Sequence, residues 1–360
     1  MKVALVTRST FQSAYGGDTV QVMETARQLR LLGIDATVTT TQDLRSSDRY
    51  DLLHFFNITR PADMLRHTRR HDIPYVITPI WIDYSPYDRY NRNGIAGKIF
   101  RHLEPATIEY LKTAARWING NEIYPGNYYL ASGHRRSMQY NLENASALFC
   151  NSEAEFATLA MQFKQLPPYH IITAGVDEKI FQPVPSIAKE KRMVLCAGRI
   201  EGIKNQLQLI RALNNTDYRL VLIGDAAPNQ QAYYKACRQV AAANIQFIPH
   251  LSHDALKSYY QKAAVHVLPS WYESCGLASL EAAAMGCQVV ATRNGFASSY
   301  LGDDAFYCDP SSVNSIREAV DKAAACETTN GLPRKIREQY TWRNAALQTS
   351  LAYQQILSSQ

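Results

Sequence analysis

PSWYESCGLASLEAAAMGCQVVAT, running from Pro269 to Thr292, is the stretch on which the fold turns. With the residues just before it, it reads as a buried parallel strand (VHVLPS), a tight turn, an alanine-rich helix (GLASLEAAAM) and a following strand (CQVVAT). That order places the free backbone N–H groups of Cys275, Gly276 and Leu277 at the carboxyl edge of a parallel sheet, where a helix start carries partial positive charge. A phosphate fits there. Side chains on a helix lean toward its N-terminus, so Glu281 in the second turn reaches back toward an anion held at that end. A carboxylate beside a phosphate is repelled unless it accepts from a neutral hydroxyl, and a ribose supplies two. Glu273 and Glu281 thus bracket a site suited to a bound nucleotide.

Working outward, strands and helices alternate along most of the chain. KVALVTRS, IDATVTT, DLLHFF, YVITPI, ALFCNS and YHIITAG read as strands, with helices such as TVQVMETARQLRLLG and SEAEFATLAMQF between them. A second series, MVLCAGR, RLVLIGD, IQFIPH, VHVLPS, QVVAT and AFYCDP, alternates with NQLQLIRALNN, NQQAYYKACRQVAAA, HDALKSYYQKA and SVNSIREAVDKAAAC. The reading is α/β, two doubly wound Rossmann-like domains. We expect a first domain over 1–182, a linker over 183–191 where Pro183 and Pro185 forbid regular structure, a second domain over 192–340, and a C-terminal helix over 341–360. Ligands bind such sheets at the carboxyl ends of their strands, and two such domains face to face make a cleft. Neither internal repeats nor low-complexity tracts occur.

Composition sets the surroundings. The 360 residues suit two domains of this size, and the net charge of +6, mild and spread along the chain, argues against a nucleic-acid binder. It is compatible with phosphorylated partners and with peripheral contact to an anionic membrane. Seven cysteines lie scattered without any C-x-x-C, so neither a disulfide framework nor a zinc site is indicated and a reducing cytoplasm is expected. The chain enters its first strand directly, without a signal-peptide pattern, and no apolar run approaches the ~18 residues of a spanning helix.

The chemistry starts where MVLCAGR ends. Arg199 lies at that strand's carboxyl end and Lys204 follows in GRIEGIKN, so one loop carries two cations. A guanidinium holds two phosphate oxygens at once and an ammonium acts as a point charge beside them, a pair that would neutralise a departing diphosphate. The plainer alternative for each is a surface ion pair. With no D-x-D in the chain, metal independence is favoured. In the first domain Tyr15-Gly16-Gly17 precedes a helix, offering close backbone approach to a ligand, or simply an ordinary βα turn. The G-x-G-x-x-G fingerprint is absent there, against an NAD enzyme. From 84 to 144 the alternation breaks into a stretch rich in tyrosine, asparagine and arginine, read as irregular helices and loops. It is either a solvated insertion or a surface for sugars and phosphates.

GRIEGIKN, the LIGD strand end, the E-x7-E of PSWYESCGLASLEAAAMG, and the NSE and ITAGVDEKIF segments resemble the retaining glycosyltransferases of family four, strongly in the second half of the chain. The resemblance implies the GT-B fold, with the C-terminal helix crossing back to the first domain. It implies Arg199 and Lys204 on the donor diphosphate and Glu273 on the transferred sugar. Ser274, Cys275, Gly276 and Leu277 would serve phosphates and sugar, Glu281 the ribose, Gly16 and Gly17 the diphosphate and acceptor, and Leu251 the base. Family members often carry a histidine after the strand equivalent to YVITPI, where this chain has Pro79-Ile80-Trp81-Ile82-Asp83, so Asn57, Asp83 or Tyr84 would supply the polar group. Two more departures are Asn294-Gly295-Phe296 in place of a glycine followed by a glutamate, and Cys275 where an aromatic is common.

The expected activity is retaining transfer of a sugar from a UDP- or GDP-sugar to a hydroxyl of a glycan or lipid-linked glycan, in cell-surface polysaccharide or glycoconjugate synthesis. No cofactor and no metal are expected, and the enzyme would work in the cytoplasm or at the inner membrane face. A non-catalytic sugar-nucleotide-binding subunit and a sugar-nucleotide epimerase stay open as alternatives. His250-x-x-His253 has metal-compatible spacing but no evident third ligand, and His54 either lines the cleft or sits hydrogen-bonded at a strand end. Cys275 lacks a fixed histidine partner and reads as a small residue at a helix entrance rather than a nucleophile.

Overall fold

Apolar runs without polar alternation, such as KVALVT, LLHFF and ALFC, can only be satisfied by burial on both sheet faces, which is the condition of a parallel sheet covered by helices. The computed structural model realises this; it describes residues 1–8, 11, 16–45, 48–69, 73–84, 87, 104–120, 123–227, 229–326 and 331–359. The chain forms two units, Met1–Thr173 with Arg343–Gln360, and Ala174–Trp342. The expected linker over 183–191 falls inside the second unit, where Gln261 anchors it through the backbone of Val184 and Ile187.

In the first unit β1 (Lys2–Thr7), β2 (Asp35–Thr40), β3 (Leu52–Phe56), β4 (Tyr75–Thr78), β5 (Ala147–Cys150) and β6 (Tyr169–Ile171) form a parallel sheet ordered β2-β1-β3-β4-β5-β6. The central strands β1, β3, β4 and β5 are buried along almost their whole length, whereas the outer β2 and β6 are partly exposed. Helices α1 (Gly17–Leu31), α2 (Pro61–Thr68), α3 (Pro105–Ile118), α4 (Asn127–Glu143) and α5 (Glu153–Gln162) accompany the sheet. Strand order reverses between β1 and β3, the switch point at which such sheets take ligands.

The second unit holds β7 (Glu190–Ala197), β8 (Arg219–Ile223), β9 (Ile245–Ile248), β10 (Ala263–Val267), β11 (Gln288–Ala291) and β12 (Phe306–Tyr307), parallel and ordered β12-β11-β10-β7-β8-β9. Read from β7, this is the dinucleotide-fold order with its switch point between β7 and β10. Its helices are α6 (Gln206–Leu213), α7 (Gln231–Val240), α8 (His253–Lys262), α9 (Leu277–Ala284), α10 (Ala297–Leu301), α11 (Val313–Ala325) and α12 (Leu332–Gln339). The terminal helix α13 (Trp342–Ser358) rejoins the first unit, as the resemblance implies. There the fully buried Tyr353 stacks on Phe149 and its hydroxyl meets His54.

The tyrosine-rich stretch differs from its reading as irregular. Its described part forms the regular helices α3 and α4, the latter kinked at Gly133 (φ 79°). Tyr129 is fully buried, stacks on Tyr110, packs with Ala62 and Leu65 of α2, and has its hydroxyl 3.0 Å from His134 Nδ1. Much of the aromatic content is therefore helix packing. Arg89, Tyr90, Arg92 and Arg101 of that stretch lie outside the described residues, as does Tyr15.

Candidate functional site

At the switch point of the second unit, the loop after β7 and the loop after β10 are sewn together by backbone and amide hydrogen bonds. Trp271 N–H donates to Ile203 O at 2.8 Å, and the buried Asn205 gives its amide hydrogens to Pro269 O (3.1 Å) and Pro310 O (2.8 Å). Asn205 adopts the left-handed conformation (φ 61°), which its residue type tolerates better than most, and so ends the short turn Gly202–Lys204 with Lys204 fixed beside the neighbouring loop. The consequence is a direct contact: Lys204 Nζ donates to Glu273 Oε2 at 2.6 Å. Ser270 Oγ donates to the same carboxylate oxygen at 3.0 Å.

Glu273 is held at the backbone too. Its N–H donates to Asn294 O, its carbonyl accepts from Phe296 N–H at 2.8 Å, and it bridges to Gly295. Gly295 has φ +96°, and a Cβ there would lie 2.2 Å from Glu273 O, so only glycine lets the two chains approach this closely. The expected glutamate after this glycine is absent; the asparagine before it and the phenylalanine after it give their backbone to Glu273 instead. A similar close approach occurs at the β7 and β8 ends, where a Cβ on Gly224 would lie 2.1 Å from Gly198 O.

Helix α9 begins at Gly276 with no side chain capping it, and its first backbone donors lie next to Glu273. Glu281, in the second turn, is buried, and burial raises its carboxyl above the usual range. Its Oε2 accepts from Tyr260 Oη at 3.0 Å, and Oε1 lies 3.8 Å from His253 Nε2. Arg199 sits in the loop after β7 but pairs with Glu201 at 3.0 Å, while its carbonyl accepts from Gln206 Nε2. Of the four predicted side chains, Lys204 and Glu273 are in contact, and Arg199 and Glu281 each have other immediate partners. Cys275 is buried, 4% exposed. Leu251, half-buried, precedes α8 after β9, with Ser252 capping that helix.

In the first unit Gly16 is the N-cap of α1 in extended conformation (φ −162°), which any residue adopts, and Gly17 opens the helix. Asp18 places negative charge in that first turn and is paired with Arg8 at 2.9 Å, a partner the sequence did not single out. Asn57, at the end of β3, has φ 74° and accepts from Thr59 N–H at 2.9 Å. Asp83 and Tyr84 follow β4 in the loop that begins Pro79, half-buried and exposed respectively. The backbone of that loop is pinned by Glu155, which accepts from Trp81 N–H (2.8 Å) and Asn151 N–H (2.7 Å) while burial pushes its carboxyl up to about 7. His54 does not line an opening: it is buried between Tyr353 Oη (2.6 Å) and Thr78 Oγ1 (2.7 Å), and burial lowers its imidazole to about 3. His250 and His253 straddle the start of α8, and among the described residues no cluster of three metal-ligating side chains occurs. Nor, among the described residues, is any helix long and apolar enough to cross a membrane.

Residues 177–341 match the family model described as glycosyl transferases group 1. Among curated proteins the chain is 28% identical to an uncharacterized glycosyltransferase of Methanocaldococcus jannaschii over 51% of its own length and 50% of that protein. It is 25% identical to the MMP alpha-(1->4)-mannosyltransferase of Mycolicibacterium hassiacum over 52% and 49%. A longer match, 23% identical over 95% of this chain and 92% of the relative, is to a D-inositol 3-phosphate glycosyltransferase of Corynebacterium aurimucosum. The chain spans about half the length of the first two relatives. Among solved structures, a sucrose-phosphate synthase from Thermosynechococcus elongatus superposes with TM-score 0.75 at 16% identity over 100% of both chains. Anabaena Alr3699/HepE, solved with UDP and glucose, gives 0.70 at 16% identity over 98% and 99%. These likenesses identify the fold as GT-B.

Proposed function

We propose, for a chain whose residues 177–341 match the glycosyl transferases group 1, transfer of a sugar from a nucleoside diphosphate-sugar to an acceptor hydroxyl, with retention of configuration. The observation that carries this reading is the contact of Lys204 with Glu273 at the β7–β10 switch point, beside the uncapped start of α9. An ammonium has three donors, and the carboxylate uses one, so others remain for phosphate oxygens. Lys204, Arg199 and the N–H groups of Ser274, Cys275, Gly276 and Leu277 receive the diphosphate as its charge grows. Glu273 accepts from hydroxyls of the transferred sugar, Glu281 from the ribose, and Leu251 borders the base.

In the step itself the bond from the anomeric carbon to the diphosphate oxygen breaks. The acceptor oxygen bonds to that carbon on the same face, and the acceptor proton passes to the departing diphosphate oxygen. No side-chain base is obligatory, and two cations with helix N–H groups supply the charge stabilisation for which other enzymes use a metal. The first unit takes the acceptor, with Gly16, Gly17, Asn57, Asp83 and Tyr84 as its contacts. The acceptor is a hydroxyl of a glycan or lipid-linked glycan of cell-surface polymer synthesis, met at the cytoplasmic membrane face. Net charge +6 supports an anionic surface, which flotation with anionic vesicles tests; no association at low salt removes it.

The base is uracil or guanine; the Anabaena structure, solved with UDP, favours testing uracil first. Incubation with a panel of UDP- and GDP-sugars should give slow donor hydrolysis or nucleoside diphosphate binding, and the product sugar of any transfer should keep the donor's anomeric configuration. Binding of no nucleotide would refute the proposal. Binding without turnover, whatever acceptor is offered, would instead select a non-catalytic subunit, a reading favoured by the imidazole missing from Pro79–Asp83.

A further inference from the structure

Glu281 is the residue to which the proposed function assigns the ribose, yet a single-bonded glutamate swings through several rotamers. A diol needs its oxygens in one place. In this chain the carboxylate is not left to find that place. Tyr260, on α8 and wholly buried, donates its hydroxyl to Glu281 Oε2 at 3.0 Å. Tyr260 is itself held at its ring and at its carbonyl. Phe181 and His266 pack edge-on against its ring at 5.9 Å each. Its carbonyl, in the last turn of α8, accepts from Lys189 Nζ at 2.8 Å and from Cys287 Sγ at 3.1 Å. The same Lys189 Nζ donates to Met285 O at the end of α9, so one ammonium ties together the two helices that carry the phenol and the carboxylate.

We infer that Tyr260 is a positioning residue for ribose recognition: by occupying Glu281 Oε2 it orients the carboxylate so that its remaining lone pairs accept from the two ribose hydroxyls. This rests on the proposed nucleotide site. The chemistry is consistent on both sides. A phenol is a neutral donor, so it fixes the carboxylate without neutralising it and leaves it a strong acceptor for neutral hydroxyls. The other oxygen, Oε1, faces His253 at 3.8 Å, beyond hydrogen-bond reach, on the side where His253 is part-exposed. That is the oxygen the inference gives to the ribose.

The discriminating experiment compares ribonucleotides with 2′-deoxyribonucleotides, since a structural role of Tyr260 would weaken both alike. By calorimetry, the wild type should bind UDP or GDP about tenfold or more tighter than the matching 2′-deoxy compound, the loss of one charge-assisted hydrogen bond. Tyr260→Phe, which keeps the ring contacts, should retain 2′-deoxynucleotide affinity and reduce the preference to about threefold or less. The hydroxyl-retaining 3-fluorotyrosine at position 260 must keep the preference. A full preference in Tyr260→Phe, an equal loss for both nucleotides, or a lost preference in the fluorotyrosine protein would each overturn the inference. If Tyr260→Phe does not fold, more highly fluorinated tyrosines at position 260 decide instead: a stronger phenol donor should change the ribose preference while 2′-deoxynucleotide affinity holds, and a preference that stays constant across the series overturns the inference. Wild type binding neither nucleotide would instead refute the site itself, and wild type binding both equally would refute the role of Glu281.

Discussion

Lys204→Met tests the centre of the site, because the structure separates two roles for the ammonium. One is to neutralise Glu273, the other to hold phosphate. The pair is 2.6 Å apart with the side chains 20% and 13% exposed, so it lies between a surface ion pair, worth about 0–1 kcal/mol, and a buried one, whose breaking costs about 3–5 kcal/mol. Removing the ammonium alone leaves a mostly buried carboxylate with only Ser270 donating to it among the bonds described. We expect a stability loss of about 2–3 kcal/mol by urea denaturation. The double variant Lys204→Met/Glu273→Gln removes the orphan charge and should return to within about 1 kcal/mol of wild type. Phosphate binding should behave differently. Loss of one charged hydrogen bond costs about 1.5–3 kcal/mol, a factor of about 10–100 in nucleoside diphosphate affinity, and the double variant should not recover it. Glu273→Gln alone should bind nucleoside diphosphate at least as tightly as wild type, since the ammonium is released. If the double variant regains wild-type affinity, or Lys204→Met never loses it, Lys204 serves Glu273 alone.

Gly295→Ala would place a Cβ 2.2 Å from Glu273 O at φ +96°; we expect a stability loss of about 1–3 kcal/mol and at least a tenfold lower kcat, and unchanged turnover would show that Glu273 is not held there. Because burial holds His54 near 3, the unfolded chain gains a proton that the folded chain refuses as pH falls through 6.5. The contribution is therefore full above 6.5 and lost progressively toward 3. At pH 5 that is about 2 kcal/mol, so denaturation curves of wild type and His54→Gln should converge on acidification, and parallel curves would refute the buried placement.

The alternation of elements was legible because both sheets are parallel and covered, so their inner strands are bare apolar runs and their helices amphipathic. The boundary near Pro183 was less legible: proline forbids regular structure there, but Gln261 from α8 holds the segment to the second unit, a contact no local pattern encodes. Lys204 and Glu273 could each be placed at a strand end, yet their ion pair joins positions far apart in the chain and depends on Asn205 and Trp271 fastening two loops. Gly295 was noted only as the residue before a missing glutamate, when its job is to admit the backbone of Glu273. The stretch after Tyr84 stayed divided between a solvated insertion and a ligand surface because composition cannot tell Tyr129, sealed against His134, from an exposed ring. His54 was ambiguous for the same reason, since its partner Tyr353 arrives from the terminal helix.

The charges of the site carry a last consequence. Neither cation of the β7 loop stands alone: Arg199 lies against Glu201 and Lys204 against Glu273. A diphosphate entering the site shares Lys204 with Glu273 and draws Arg199 away from Glu201, so it meets charge that carboxylates already offset in part. The net electrostatic gain is then smaller than two bare cations would give, and the uncapped helix start adds to the binding without breaking an ion pair. Salt screens exposed, unpaired charges most strongly, so a site of free cations would lose nucleotide affinity steeply as salt rises. This one should lose it gently. Titrating a nucleoside diphosphate at low and at high sodium chloride measures the slope directly. A shallow slope in the wild type that steepens in Glu201→Gln, where Arg199 is released, supports partner exchange. A steep slope in the wild type would mean that the cations face the ligand unpaired.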